Sequence, residues 1–171
     1  AHRLHASTAG IAKFIPSCLG FLVQKELKML DDYCLNPKHP FTIIMGGAKI
    51  DDKLDLMLKL LPKCDNLLLT GGLANSCLKA LGLNIGSSLA TNNQEILNRV
   101  REMLIKYRTK INLPLDAIVG VNYNDTYVAQ KPINAITENE SINDIGPNTI
   151  NKYASIINES KEVFLNGTAG I

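Results

Sequence analysis

Two Gly-Gly pairs each follow a short apolar run. Gly46-Gly47 follows Phe41-Thr42-Ile43-Ile44-Met45, and Gly71-Gly72 follows Leu67-Leu68-Leu69-Thr70. Lys49 stands just past the first pair and Lys53 one helical turn further on, so two ammonium groups share one side of that turn. Glycine lets a phosphate-bearing ligand come close to the backbone, and a helix N-terminus favours negative charge. The pattern suits phosphate chemistry. Each pair taken alone also suits a plain tight turn with solvated lysines, and both readings stay open at this point. Neither turn has the spacing G-x-x-x-x-G-K-[ST] or G-x-G-x-x-G. Asp51-Asp52 reads either as a helix N-cap or as a metal contact.

The elements around these residues alternate. Ser17 to Leu35 carries Leu19, Leu22, Val23, Leu27, Leu30 and Cys34 at helical spacing, and Asn36-Pro37 ends it. Residues 41–45 and 67–70 read as strands covered on both faces. Helices are expected from Asp51 or Asp52 to Pro62, and from Gly71-Gly72 to about Leu81-Gly82. A further helix, capped by Thr91-Asn92, carries Ile96, Leu97, Val100, Leu104 and Tyr107 on one stripe. Leu115 to Val119 reads as a third strand, Ile150 to Ile157 as a helix and Val163 to Leu165 as the last strand. Between Gly120 and Asp144 only an edge strand, Tyr127 to Ile133, stands out. The alternation predicts an α/β fold, a Rossmann-like parallel sheet with helices on both faces. Ligands of such sheets sit beyond the carboxyl ends of the strands, where both Gly-Gly turns lie.

Composition narrows the function classes. The 171 residues are 46% hydrophobic and 20% charged, which excludes a disordered chain. Eighteen Lys and Arg against sixteen Asp and Glu give a net charge of +2, too balanced for a nucleic-acid groove. No apolar run nears the roughly 20 residues of a membrane span. Cys18, Cys34, Cys64 and Cys77 form no C-x-x-C pair and read as buried hydrophobes of a reducing compartment. The chain opens Ala1-His2-Arg3-Leu4-His5 without Met and closes in a glycine loop, so a piece truncated at both ends is expected.

Six segments together resemble phosphoglycerate kinase, in the order and near the spacings of that family. They are Ala1 to Gly10, Met45 to Lys53, Gly71-Gly72-Leu73-Ala74, Ile85-Gly86-Ser87-Ser88-Leu89, Asp144-Ile145-Gly146-Pro147 and Asn166-Gly167-Thr168-Ala169-Gly170. The resemblance covers nearly the whole chain and is weakest over residues 120–143.

The resemblance implies a cytoplasmic glycolytic enzyme with small-molecule substrates. It moves a phosphoryl group between 1,3-bisphosphoglycerate and ADP to give 3-phosphoglycerate and ATP, with Mg2+ accompanying the nucleotide. It also implies that residues 1–16 are the tail of the N-terminal triose-phosphate domain, 17–36 the interdomain helix and 37–171 part of the nucleotide-binding domain. The full-length family is expected to be monomeric. By the same matching, His2 and Arg3 face the triose phosphate, and Lys49 meets the transferring phosphoryl group. Lys53 meets the nucleotide phosphates. Gly46, Gly47, Gly71, Gly72 and Leu89 wall the nucleotide, Asn166 and Gly170 belong to a loop closing over it, and Asp52 is a candidate metal contact. The alternative is a non-catalytic nucleotide-binding or structural remnant of that fold.

The departures from the family pattern are specific. Thr70 stands where a third glycine is usual, Thr168 where proline is usual, and Asn148 where lysine is common. Ile142-Asn143 replaces the pair that normally flanks the nucleotide. Thr70 would narrow the adenine slot, and Thr168 would loosen a turn that proline stiffens. An acidic ribose contact, a second glycine-rich phosphate loop and a basic triose cluster are expected outside the chain, so the piece alone is expected to be inactive.

Overall fold

The computed structural model describes residues 3–31, 36–121 and 128–168. It divides into two units, residues 1–36 and 37–171.

In the first unit, His5 caps a π-helical turn, Ala6–Gly10, in a reciprocal arrangement. Its Nδ1 accepts from the Ser7 N–H, and its own N–H donates to Thr8 Oγ1. Helix α1 spans Phe21–Leu30. It opens at Gly20, three residues later than the apolar spacing predicts, because glycine has the weakest helix preference after proline. Residues 16–20 therefore stay outside the helix, and the Gln24 amide reaches back to the Leu19 carbonyl at 2.7 Å. Residues 32–35, the expected end of this helix, lie outside the described residues.

The second unit is built on a parallel sheet of β1 (Phe41–Met45), β2 (Asn66–Leu69), β3 (Ile111–Asn112) and β7 (Glu162–Asn166), ordered β3-β2-β1-β7. Helices α2 (Leu54–Leu60), α3 (Gly71–Ala80), α4 (Gln94–Lys106) and α5 (Pro147–Glu159) flank it. Leu67, Leu68 and Leu69 are fully buried, as the continuous apolar run requires. The main core joins Phe41, Ile43 and Met45 to Leu54 and Met57 of α2, Leu73 of α3, and Val100 and Met103 of α4.

A second sheet corrects the sequence reading. Strands β4 (Asp116–Gly120), β5 (Ala129–Pro132) and β6 (Ser141–Ile145) form an antiparallel sheet ordered β5-β4-β6. The expected third parallel strand, Leu115 to Val119, is displaced into it. Only residues 113–115 separate β3 from β4, far fewer than the dozen or so a parallel crossover needs. The chain therefore leaves the parallel sheet at Pro114. Periodicity does not predict strand β6, because its pattern, Ser-Ile-Asn-Asp-Ile, is polar and its alternation is broken by a β-bulge. Tyr127, the expected start of the edge strand, lies outside the described residues.

Two caps also differ. Asp51 and Asp52 sit in a turn, and α2 opens at Leu54 with Lys53 before it and no side-chain cap. Asn93, rather than Thr91 or Asn92, caps α4, its Oδ1 accepting from the N–H groups of Glu95 and Ile96. Thr91 Oγ1 instead accepts from the Asn93 N–H and donates to Asp51.

Candidate active site

Parallel pairing of β1 with β2 brings both Gly-Gly turns to the same carboxyl edge of the sheet. There they interlock. The Thr70 N–H donates to the Met45 carbonyl at 3.0 Å and the Leu73 N–H to the Gly47 carbonyl at 3.2 Å. A Cβ on Gly72 would stand 2.3 Å from the Ala48 carbonyl oxygen, and one on Gly46 would stand 1.8 Å from that of Thr168. Both positions exclude any side chain, and the reason is backbone contact rather than turn geometry alone.

Lys53 ties this edge together. Its Nζ donates to Asn166 Oδ1 at 2.7 Å and to the Gly46 carbonyl at 3.1 Å. An ammonium has three donors, so one N–H is left for a ligand. Asn166, at the end of β7, also accepts from the Gly46 N–H through its carbonyl. Lys49 behaves differently. It is exposed and makes no hydrogen bond among the described residues, so its charge is uncommitted.

Two depressions meet at Leu89, which is 52% exposed. One, a narrow cleft of only about 20 Å³, is lined by Gly71, Gly72, Ala74, Leu89, Ile142 and Asn143 among others. The other, an open groove of about 420 Å³, is lined by Ala48, Lys49, Asp51, Asp52, Leu89, Ala90 and Thr91. The small apolar cleft and the groove, which holds one uncommitted ammonium and two carboxylates, share Leu89 as a wall. A groove of that volume with a few placed polar groups has the make-up of a small-ligand site.

Asp116 of β4 does not line the cleft itself but precedes Ala117, which does, and it carries a tertiary contact that no local sequence pattern signals. It is 2% exposed, and its carboxylate accepts from the Asn148 and Thr149 N–H groups, the Thr149 hydroxyl and the Gln130 amide. Burial alone would raise its pKa. The hydrogen bonds from Thr149, Asn148 and Gln130 outweigh burial and hold it below its ordinary value of 3.8. This carboxylate caps α5, which starts at Pro147 rather than at the expected Ile150. Glu140, which accepts from Lys131 and from the Thr137 N–H, is lowered to about 2. Burial pushes the Cys64 thiol up to about 11 and that of Cys77 to about 12, so neither supplies a thiolate near neutral pH.

Thr70 does not line the narrow cleft. It is buried beside Gly46, and its Oγ1 has no hydrogen-bond partner among the described residues. Arg3 is exposed in the first unit, where its carbonyl accepts from the Thr8 hydroxyl at 2.7 Å. His2 and Gly170 lie outside the described residues.

The description of the phosphoglycerate kinase family matches residues 1–171. The chain belongs to the phosphoglycerate kinase family. It is 38% identical to the phosphoglycerate kinase of Coxiella burnetii, with a TM-score of 0.89, over 99% of this chain and 44% of that one. The phosphoglycerate kinase of Pyrococcus horikoshii OT3 is 25% identical, with a TM-score of 0.83 over the same shares. The chain thus spans under half the length of these two kinases. Family membership is in keeping with both the α/β architecture and the resemblance carried by the six segments.

Mg2+ needs no dedicated cage of protein ligands, because it is usually held by one or two carboxylates together with substrate phosphates. Among the described residues no group of three or more His, Cys, Asp or Glu side chains could hold a metal. Asp51 and Asp52 are both exposed on the lysine groove, and with Asp51 accepting from the Thr91 hydroxyl, Asp52 is the carboxylate that fits an ion arriving with a nucleotide. Among the same residues no helix is long and apolar enough to cross a membrane.

Proposed function

We propose that the chain is the part of a phosphoglycerate kinase that holds the nucleotide. In this reading residues 1–16 end the triose-phosphate domain, 17–36 form the interdomain helix and 37–171 belong to the nucleotide-binding domain. The observation that carries the reading is that a small apolar cleft and the groove of Lys49 and Asp52 share Leu89 as a wall, at the sheet edge where both Gly-Gly turns lie. A nucleotide has that same polarity along its length, an apolar base followed by anionic phosphates.

The reaction asks for positioning and charge. A carboxylate oxygen of 3-phosphoglycerate attacks the terminal phosphorus of ATP, the bond to the bridging oxygen breaks, and that oxygen leaves with ADP. The attacking carboxylate is already ionised, so no general base is required. Lys49, with its uncommitted ammonium, neutralises the equatorial oxygens of the migrating group. Lys53 uses its remaining N–H on the nucleotide phosphates while its other two hold Gly46 and Asn166 in place. His2 and Arg3 grip the triose substrate, where a guanidinium suits carboxylate or phosphate. Asp52 would hold Mg2+, whose chemistry when bound is to offset phosphate charge.

The test is Lys49→Ala in the full-length protein. A contact made chiefly in the transition state should lower kcat by about 100-fold or more and move the nucleotide KM little. Unchanged kcat with weakened nucleotide binding would reassign Lys49 to ground-state grip. The 171-residue piece alone should show no turnover and bind Mg-ADP more weakly than about 1 mM, which is about −4 kcal/mol. Micromolar binding without turnover would instead favour the non-catalytic remnant.

A further inference from the structure

Within a parallel sheet the backbone groups of successive residues face alternate neighbouring strands. In β2 the Leu67 N–H donates toward β3, to the Lys110 carbonyl at 2.8 Å, and the Thr70 N–H donates toward β1, to the Met45 carbonyl. Leu69, two residues past Leu67, therefore turns its carbonyl toward β3. The register sets Leu67 against Ile111, so two residues on that carbonyl would take its donor from residue 114. Residue 114 is proline, which has no N–H. Leu69 is fully buried, and a buried carbonyl without a donor opposes folding.

Helix α5 supplies what the proline lacks. The Tyr153 hydroxyl lies 2.9 Å from the Leu69 carbonyl oxygen and 2.8 Å from that of Asn112, so its single O–H serves both where β3 leaves the sheet. Tyr153 is 4% exposed, and burial pushes its pKa up, so it remains a donor near neutral pH.

The effect runs along the sheet edge. One peptide plane holds both the Leu69 carbonyl and the Thr70 N–H. Tyr153 fixes its oxygen, and the Met45 carbonyl, at 3.0 Å, fixes its N–H. The Met45 carbonyl shares the next plane with the Gly46 N–H, which donates to the Asn166 carbonyl at 3.0 Å. A chain of hydrogen bonds thus crosses from Tyr153 to Asn166, through the residues that lead into both Gly-Gly turns. Bonds in such a chain polarise and strengthen one another, so freeing one end loosens the rest.

We propose that Tyr153 is a positioning residue for nucleotide binding, its hydroxyl setting the Leu69–Thr70 peptide and through it both Gly-Gly turns. The proposal rests on the nucleotide reading of this edge and adds to it a residue that acts through the turns. Groups that meet a reactant must be held to a fraction of an ångström by the residues behind them.

The experiment is Tyr153→Phe in the full-length protein, which keeps the ring and removes only the hydroxyl. With ATP and 3-phosphoglycerate, the KM for ATP should rise about fivefold, the size of one hydrogen bond, while kcat and the KM for 3-phosphoglycerate stay within about twofold. Amide exchange at Thr70 and Gly46 should quicken. Leu104→Ala, a core change in α4 outside this chain of bonds, is the comparison; it should lower Tm at least as far and leave the KM for ATP unchanged. A less stable Tyr153→Phe with an unchanged KM for ATP, an equal rise in both KM values, or a kcat that changes more than the KM for ATP overturns the assignment and leaves the nucleotide reading standing. Absence of nucleotide binding to the wild-type protein overturns that reading and the assignment with it.

Discussion

Replacing Asp116 with alanine should cost about 2–4 kcal/mol of folding stability, from the lost helix cap and the buried donors left unpaired. The carboxylate accepts from the Thr149 N–H at 2.8 Å, the Asn148 N–H at 3.0 Å, the Thr149 hydroxyl at 2.7 Å and the Gln130 amide at 2.9 Å. Two of these donors are first-turn N–H groups of α5, and a helix cap alone is worth about 0.5–2 kcal/mol. Each bond to a charged group contributes about 1.5–3 kcal/mol, but the four share one carboxylate and do not add. Asp116→Asn keeps one acceptor oxygen and turns an NH2 toward donors, so about 2 kcal/mol is expected. Urea unfolding at pH 7 measures both losses. The pH dependence gives a second check. The folded-state pKa is lowered below 3.8, so this stabilisation is present above that value and is lost as pH falls through the folded pKa. The gap between wild type and Asp116→Ala should therefore be constant from pH 7 to about 5 and close below about pH 4. A loss under 1 kcal/mol at pH 7, or a gap that widens in acid, would refute the capping role.

Thr70→Val removes a buried hydroxyl that lacks a partner among the described residues and keeps the shape, in an extended conformation (φ −139°, ψ 169°) that valine accepts. A gain of about 1 kcal/mol, seen as a rise of about 2–4 °C in Tm, is expected, and a loss would mean the hydroxyl is satisfied in solution. Gly46→Ala should separate the 166–168 segment from the first Gly-Gly turn, because the new methyl would overlap the Thr168 carbonyl. Faster amide exchange at the Gly46 N–H, which donates to Asn166, is the readout. Lys53→Met should weaken ADP binding by about tenfold or more through the lost charge–phosphate contact, and calorimetry at two salt concentrations would show a reduced salt dependence.

Local pattern and tertiary contact divided the work along physical lines. The strands at 41–45 and 66–69, the helix after Gly71-Gly72 and the stripe of α4 follow from apolar periodicity, which reports burial directly. The turn glycines were legible by type, and the six ordered segments carried the family. What the sequence alone did not determine depends on partners far along the chain. Helix α5 starts at Pro147 because a carboxylate 31 residues earlier reaches its first turn, and no local pattern encodes that cap. The strand after Pro114 was read correctly as a strand but assigned to the wrong sheet, since pairing is a choice between distant neighbours of similar apolar character. Gly46 and Gly72 owe their identity to the Thr168 and Ala48 carbonyls packed against them. The bulge at Asn143 and the unpaired oxygen it carries likewise exist only once β6 has docked on β4, because satisfaction of a polar atom is a property of the assembled surroundings and not of the residue.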